Sequence, residues 1–335
     1  MTLDPALAAV RLAVRRTLAD RAPMTGPVLV ACSGGADSLA LLTATVFETR
    51  AATRPVIGVT VDHRLQTGSA EHAAAVVEQM VRLGADETAT VAVTVGGAGL
   101  GPEAAAREAR YVALEELATR FGGSVILLGH TLDDQAETVL LGLTRGSGAR
   151  SLAGMRAERP PFWRPLLGLT RRQTEAACLA EGIEFWKDPH NTNPRFTRAR
   201  VRHRVLPVLE EELGPGVGAA LARTAEQLQE DLAVLEALAD EALREARTET
   251  GFATSVLETA APAIRHRVLR GAAIAAGAPG TELFRVHVLA LDALVMRYRG
   301  QQWVDLPGHL QGFREGGELR FRNTGERGAG SPVAG

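Results

Sequence analysis

Cysteine, lysine and aromatic residues are all scarce in this chain of 335 residues. The two cysteines, Cys32 and Cys178, cannot build a disulfide framework or a thiolate cluster around a metal. Apolar runs are too short to cross a membrane, and residues 1–20 form an amphipathic, arginine-bearing helix pattern without a cleavage signal. We therefore expect a cytoplasmic protein without a membrane partner.

A Walker-type phosphate loop is absent too, but a different glycine turn occurs near the N-terminus. It covers residues 33–38, between an apolar strand pattern at 27–32 and a helix pattern at 37–50. Backbone N–H groups at such a turn and the positive end of the helix dipole favour an anion, most often a phosphate. An ordinary helix cap is the alternative. The candidate phosphate ligands are Ser33, Gly34, Gly35, Ala36, Asp37 and Ser38, and Asp37 can also hold Mg²⁺.

A second group of polar residues follows the apolar strand pattern at 124–129. His130 comes directly after that strand, and the helix pattern beyond it carries Asp133, Asp134 and Glu137 on one face. Acidic residues also favour helix N-termini through the dipole, which is the plain alternative. Because ligands bind at the carboxyl ends of the strands in a doubly wound sheet, we predict that both groups belong to one site.

Strand and helix patterns alternate along the first half of the chain. Strands are predicted at 27–32, 56–62, 89–95 and 124–129, and helices at 37–50, 69–84, 102–121 and 133–145. This alternation predicts an α/β fold with a Rossmann-like parallel sheet. Further along we expect a mobile loop at 146–165, a helix capped by Thr170, a short strand at 183–186 and a helix at 194–212.

The sequence Gly214-Pro215-Gly216 is the predicted domain boundary. It separates a catalytic domain at 1–213 from a smaller, mainly helical domain at 214–324, and residues 325–335 are predicted to be a disordered tail. The second domain should contain helices at 257–298 and a hairpin pairing 303–307 with 318–321. A heptad-like seam indicates one long helix, packed within the domain or in a dimer. The seam residues are Leu221, Ala225, Leu228, Leu232, Leu235, Ala239 and Ala242.

The net charge of −2 argues against a nucleic-acid binder, but the charge is unevenly distributed. Residues 145–204 hold 13 Lys and Arg against 5 Asp and Glu, whereas 210–249 hold 11 acidic residues against 3 arginines. The basic segment could follow a phosphate backbone. Alternatively, its arginines pair with the acids at 210–212 on a solvated helix. The candidate nucleic-acid ligands are Arg195, Arg198, Arg200, Arg202 and Arg204.

In their order and spacing these motifs resemble those of the PP-loop ATP pyrophosphatases and, within them, the family of tRNA(Ile)-lysidine synthetases. The resemblance covers roughly the first two thirds of the chain and rests first on S-G-G-A-D-S at 33–38 and G-H-T-L-D-D-Q-A-E-T at 129–138. It extends to Val61-Asp62-His63 and to segments 103–111, 145–148, 164–167 and 188–204. The chain has Arg64, Gln66 and His190 where the family usually has Gly, Arg and Ser.

The resemblance implies a ligase that uses ATP and Mg²⁺. It transfers AMP to the wobble cytidine of an isoleucine tRNA with a CAU anticodon, and the ε-amine of L-lysine then displaces AMP, giving lysidine and pyrophosphate. That amine is protonated at neutral pH, since its unperturbed pKa is about 10.4, so carboxylates must bind the cation and accept its proton.

The resemblance also implies roles for individual residues. The catalytic residues are Asp37, Asp133, Asp134 and Glu137, and Asp37 also binds Mg²⁺. ATP is bound by residues 33–38 with Asp62, His63 and His130, and lysine by Asp134, Glu137 and Arg107. The tRNA is bound by the five arginines and by residues 214–324. Arg107 and Arg110 lie three residues apart, and an equally good interpretation pairs them with Glu103 or Glu108 at the surface.

Three alternative functions stay open at this point. A tRNA-thiolating PP-loop enzyme needs cysteines to carry sulfur or an iron–sulfur cluster, and the chain has no C-x-x-C. An amidating ligase for a small molecule explains ATP use but not the basic segment. A nucleotide-binding module without catalysis explains residues 33–38 but not the acidic residues at 133–137. A homodimer is a further expectation.

Overall fold

A computed structural model of the chain describes residues 3–19, 26–62, 68–93, 102–122, 125–146, 148–188 and 192–325. His63 and the three departures from the family pattern, Arg64, Gln66 and His190, lie outside these residues. The chain divides into two compact units, Met1–Gln229 and Glu230–Gly335. In the part of the chain that the structure describes, no helix has the length and apolar character needed to span a membrane.

The first unit is built on a six-stranded sheet with the order β3-β2-β1-β4-β6-β5. Its strands are β1 (Val28–Ala31), β2 (Val56–Asp62), β3 (Glu87–Ala92), β4 (Val125–Leu128), β5 (Glu158–Arg159) and β6 (Phe162–Trp163). All pairs are parallel except the terminal β5–β6 pair. The predicted Rossmann-like parallel sheet is confirmed, and β1 and β4 are neighbours within it.

Helices cover both faces of this sheet. Successive side chains of a strand point to opposite faces, and those of β1 are apolar and buried on both. Val28 and Val30 belong to a core cluster with α1 (Pro5–Ala19), α2 (Ala36–Thr49), α3 (Ser69–Arg82) and α7 (Arg171–Ala180). Leu29, between them, belongs to a second cluster with α4 (Pro102–Arg120). The remaining helices are α5 (Leu132–Arg145), α6 (Ala149–Leu152), α8 (Thr197–Arg200) and α9 (Leu206–Glu212), with a π-helical turn at Val201–Val205 between the last two.

Two predictions for this unit are wrong. The stretch at 146–165 is not a loose loop, since β6 pairs with β4 and its residues Phe162 and Trp163 are 0% and 6% exposed. Residues 183–186 do not form a strand: Ile183 is buried in the core cluster, and the Trp186 N–H donates to the carbonyl of Gly34. The helix predicted from 194 begins at Thr197, whereas the helix capped by Thr170 is confirmed.

The second unit combines helices with a four-stranded antiparallel sheet of order β7-β10-β9-β8. Its elements are α11 (Thr254–Thr259), α12 (Pro262–Ala275), α13 (Arg285–Met296), β7 (Phe252–Ala253), β8 (Val304–Leu306), β9 (Leu310–Glu315) and β10 (Glu318–Asn323). The predicted pairing of 303–307 with 318–321 is wrong, because β9 lies between β8 and β10.

The long helix α10 (Val217–Ala246) confirms the predicted seam as one helix. The division between the compact units falls within α10, at Gln229, and not at the glycine-proline sequence before it. Along the seam, Ala225, Leu232 and Ala239 are 0%, 4% and 5% exposed within the single chain. The seam therefore adds no support to a homodimer, which stays a prediction, as do the functional roles of the two domains.

Gly129 directly follows β4 in the sequence and packs against the first turn of α2. A Cβ atom at this position would lie 3.0 Å from the carbonyl carbon of Asp37 and 3.1 Å from the backbone nitrogen of Ser38. Since these neighbours are backbone atoms, an alanine there would push β4 and α2 apart.

We expect Gly129→Ala to lower the free energy of unfolding by about 1–3 kcal/mol, the usual cost of overpacking. Gly168→Ala is the matched control, because a Cβ there has no neighbour within 4 Å. Urea denaturation of both variants measures the difference. Equal stabilities would contradict the close packing of Gly129 on α2.

Candidate active site

The glycine turn links β1 to α2 in a conformation that only glycine adopts easily. Gly34 has a φ of +80°, and a Cβ there would lie 2.8 Å from Cγ2 of Val76. Gly35 is the N-cap residue of α2 and makes no side-chain cap. The Ser38 hydroxyl accepts from the Ser33 N–H at 3.2 Å and donates to the Gly35 carbonyl at 2.9 Å. No side chain caps the helix, and Ala36 and Asp37 of its first turn line the cavity beside the glycine turn, which is the arrangement that an anion site at a helix N-terminus requires.

The end of β4 lies beside this turn, because Gly129 packs against the backbone of Asp37 and Ser38. Thr131 and Asp134 form a reciprocal cap on α5, in which the Thr131 N–H donates to Oδ2 of Asp134 at 2.9 Å. Directly before this cap, Nδ1 of His130 is buried and has no hydrogen-bond partner among the described residues. A buried polar nitrogen without a partner is a group that a bound ligand can satisfy.

Arginines from two later segments pair with the carboxylates of α2 and α5. Arg171, at the start of α7, places Nε 3.2 Å from Oδ2 of Asp37 and Nη2 3.2 Å from Oδ1 of Asp134. Arg202, in the π-helical turn, donates through Nη2 to the same Asp134 oxygen at 3.1 Å and through Nε to Glu137 at 2.5 Å. These contacts form one continuous network, which we call the arginine–carboxylate network.

Two further side chains complete the network. Nε of Arg198 lies 3.6 Å from Oε2 of Glu137, a carboxylate that is 0% exposed. The hydroxyl of Thr174, on α7, donates a short hydrogen bond to Oδ1 of Asp37. The network thus contains three carboxylates, three guanidinium groups and one hydroxyl. Its carboxylates are Asp37, Asp134 and Glu137, and its guanidinium groups are those of Arg171, Arg198 and Arg202.

Burial and pairing act in opposite directions on the pKa values of these carboxyls. Burial raises the pKa of Asp37 and of Glu137 above their ordinary values, although Arg171 and Arg202 respectively oppose it. Burial also acts to raise the pKa of Asp134, but Arg171, the Thr131 N–H and Arg202 together hold that pKa below its ordinary value. Burial lowers the pKa of His130 far enough that its imidazole is neutral at pH 7.

Both sequence motifs line one cavity of about 920 Å³, a volume within the range of small-molecule sites. Asp37 and Ser38 line it from the glycine turn, and His130 and Asp134 from the end of β4. Asp62, Arg107 and Arg110 also line the cavity, as the resemblance implies for Asp62 and Arg107. The prediction that the two motifs share one site agrees with this geometry.

Not every predicted site residue lies in the cavity. Asp133 does not line it, and its Oδ2 accepts from the backbone N–H of Arg171 at 2.8 Å. Glu137 lies behind Arg198 and Arg202 and does not line it either. The three carboxylates of α5 therefore do not form one open acidic cluster, as their spacing had suggested.

The five arginines predicted to contact tRNA are divided among three environments. Arg198 and Arg202 face the carboxylates of α5, not the acids at 210–212 that the solvated-helix alternative required. Arg200 donates to the carbonyls of Pro194 and Arg195, whereas Arg195 and Arg204 are exposed. Only part of the basic segment is thus available to a phosphate backbone.

Residue-based reasoning missed Arg171 and Thr174. Their signal was the N-cap Thr170, because a capped helix that begins with arginine and carries Thr one turn later presents both side chains together. It also missed the tilted ring contact of His72 with Trp186, whose ring centroids are 3.9 Å apart, and the hydrogen bond that joins Nε2 of His72 to the Ser33 carbonyl at 3.1 Å. These contacts fix the outer side of the glycine turn.

The fold and the glycine turn define the class of protein. Residues 11–209 match the family model described as a PP-loop domain. In fold, the chain is similar to a U34-tRNA thiolase with a [4Fe-4S] cluster from Methanococcus maripaludis, with a TM-score of 0.54 and 20% identity, covering 67% of this chain and 80% of that one.

Relatives of higher sequence identity identify the family within this class. The tRNA(Ile)-lysidine synthase of Thermobifida fusca is 52% identical over 94% of this chain and 97% of its own length. That of Streptomyces coelicolor is 47% identical over 95% of this chain and 98% of its own length. The chain therefore belongs to the tRNA(Ile)-lysidine synthase family of PP-loop proteins.

Removing Arg202 should destabilise the fold, because Glu137 would keep a buried charge without its closest partner. We expect Arg202→Met to lower the free energy of unfolding by about 3 kcal/mol, the lower end for a broken buried pair, since Arg198 still faces Glu137. Adding Glu137→Gln to that variant should restore part of the loss.

Arg204→Met is the matched control for this prediction. Arg204 lies two residues after Arg202 and is exposed, so this variant removes the same charge without breaking a buried pair. We expect its free energy of unfolding to change by no more than about 0.5 kcal/mol. Urea denaturation at pH 7 measures all three variants. If the Arg202 and Arg204 variants lose the same stability, the network does not hold the fold.

Proposed function

We propose that this chain ligates L-lysine to the wobble cytidine of an isoleucine tRNA with a CAU anticodon, using ATP and passing through an adenylylated cytidine. The observation that carries the proposal is the convergence of an uncapped helix N-terminus and the arginine–carboxylate network on one cavity. Membership of the tRNA(Ile)-lysidine synthase family supports the same reaction.

ATP is proposed to bind at the glycine turn, through the residues at 33–38. The first N–H groups of α2 can accept phosphate charge, and Arg171 and Lys187 line the same cavity as cations. His130 supplies a buried nitrogen that lacks a partner among the described residues. Asp62 is proposed to contact the nucleoside end, and His63 keeps its predicted role outside the described residues.

Mg²⁺ is proposed to bind at Asp37. Among the described residues, no three His, Cys, Asp or Glu side chains converge as a metal cage. The donor set still fits Mg²⁺, which ordinarily takes one or two carboxylates together with substrate phosphates. Asp37 would supply that carboxylate, and the bound ion would neutralise charge on the leaving pyrophosphate.

Lysine is proposed to bind between Asp134 and Arg107, which line the cavity with opposite charges. Asp134 would attract the ammonium group and Arg107 the α-carboxylate. Glu137 is proposed to act behind them, because its contacts with Arg202 fix that guanidinium against Asp134. Asp133 is proposed to hold α5 against α7 through its contact with the Arg171 N–H, and not to touch a reacting atom.

Incorporation of labelled lysine into an isoleucine tRNA transcript tests this proposal. We expect incorporation and pyrophosphate release to need ATP, lysine and a cytidine at the wobble position together. A transcript with uridine at that position should take up no lysine. Asp37→Asn should abolish pyrophosphate release while the protein stays folded. Pyrophosphate release that does not depend on tRNA would instead favour an amidating ligase for a small molecule.

The exposed arginines of the basic segment are proposed to contact tRNA phosphates. Arg195→Ala with Arg204→Ala should flatten the slope of log binding constant against log salt by about 1.5, since each phosphate contact contributes roughly 0.7–0.9. Arg16→Ala with Arg82→Ala, which removes two exposed arginines of α1 and α3, is the charge-matched control. Filter binding at several salt concentrations measures the slopes. Equal slopes for the two double variants would mean that the segment is only a solvated face.

A further inference from the structure

The guanidinium of Arg171 lies where two carboxylates from different helices meet. Its Nε and Nη2 are each 3.2 Å from a carboxylate oxygen, one of Asp37 and one of Asp134. The side chain is 23% exposed and lines the cavity. A cation of the chain itself thus occupies the Asp37 carboxylate that a divalent ion would use, and ties it to Asp134.

The arginine–carboxylate network has no net charge, because its three guanidinium groups balance its three ionised carboxylates. A divalent cation arriving alone would meet little net attraction there, and it would have to displace Arg171 from Asp37. A triphosphate changes this balance. Its oxygens are good partners for a guanidinium, which binds phosphate as readily as carboxylate.

We propose that Arg171 is an internal counter-ion that makes cation binding at Asp37 depend on nucleotide. In the free protein, Arg171 holds Asp37 and Asp134 together. When nucleotide and cation bind, they exchange partners with it: the phosphate binds the guanidinium, and the cation binds the Asp37 carboxylate. The inference rests on the proposed ATP and Mg²⁺ sites.

A purely structural ion pair would behave differently when the charge is removed. Loss of a structural pair lowers stability and weakens every ligand. Loss of a counter-ion leaves the network with one uncompensated negative charge, so a divalent cation alone should bind more tightly. Binding of ATP without metal should weaken at the same time, because the phosphate loses its partner. These opposite changes are specific to the proposal.

Manganese binding in the full chain tests the inference, with electron paramagnetic resonance to measure free Mn²⁺. We expect wild type to bind Mn²⁺ weakly unless ATP is present. Arg171→Gln should bind Mn²⁺ without nucleotide at least tenfold more tightly than wild type, and should bind ATP in EDTA several-fold more weakly. Arg171→Lys keeps the charge and should exclude Mn²⁺ as wild type does. Arg172→Gln, an exposed neighbour on the same helix, should change neither binding constant.

The outcomes separate this inference from the proposed function. If wild type fails to bind Mn²⁺ with ATP, the proposed nucleotide site itself is wrong. If wild type binds both together but Arg171→Gln gains no affinity for Mn²⁺ alone, only the counter-ion role is overturned. Should Arg171→Gln be unstable, Mn²⁺ is expected to raise its melting temperature more than that of wild type. A variant that stays unfolded at saturating Mn²⁺ also overturns the inference.

Discussion

The pairing of buried carboxylates with arginines is the interaction on which the first unit depends. Moving a charged side chain out of water costs several kcal/mol, and only a close partner of opposite sign offsets that cost. Asp37 lies on α2, Asp134 and Glu137 on α5, Arg171 on α7 and Arg202 in the π-helical turn. These four parts of the chain can therefore come together only in the arrangement that pairs their charges. The same charges line or support the cavity, so the stability of this region and its chemistry are coupled.

The parts of the fold that local sequence determines were predicted well. The alternation of strands and helices gives the parallel sheet, because side-chain periodicity is set within each element. The glycine turn was also predictable from its own residues. Gly34 has a φ of +80°, a backbone conformation that favours glycine, so a tight turn between β1 and α2 follows from the local sequence.

Short strands were missed because their pattern is weak and their partners are distant. β6 has two residues, Phe162 and Trp163, and it is a strand only because β4 offers an open edge. β9 carries Gly312 where an apolar side chain would mark the core face. A Cβ at Gly312 would lie 2.6 Å from Cδ2 of Leu291, so α13 occupies the space that a larger residue would need. A glycine within a strand thus marks a close approach that sequence periodicity does not reveal.

Charge counting predicted the basic segment but not the direction of its arginines. The partners of Arg202 are 65 and 68 residues away along the chain, so no local spacing indicates them. The π-helical turn at Val201–Val205 adds to this, because its wider turn shifts which side chains share a face relative to an α-helix. Arg198 and Arg202 turn inward, and the surface excess of positive charge is smaller than the sequence suggests. Function must be argued from such contacts, since fold and composition alone do not fix them.

The similarity to a tRNA thiolase illustrates that a shared fold does not fix the chemistry of the site. The two chains share a fold at 20% identity, yet a sulfur-transferring site needs thiolates that can react. Here Cys32 and Cys178 are buried, and burial raises the pKa of each thiol to about 12. Their Sγ atoms donate to the backbone carbonyls of Ser38 and Ala36, at 3.7 and 3.4 Å. Both cysteines thus support the first turn of α2 as small core residues. Although Cys32 also lines the cavity, its thiol is held against α2 as a neutral group, so the charged groups of the cavity are the oxygen and nitrogen side chains described above.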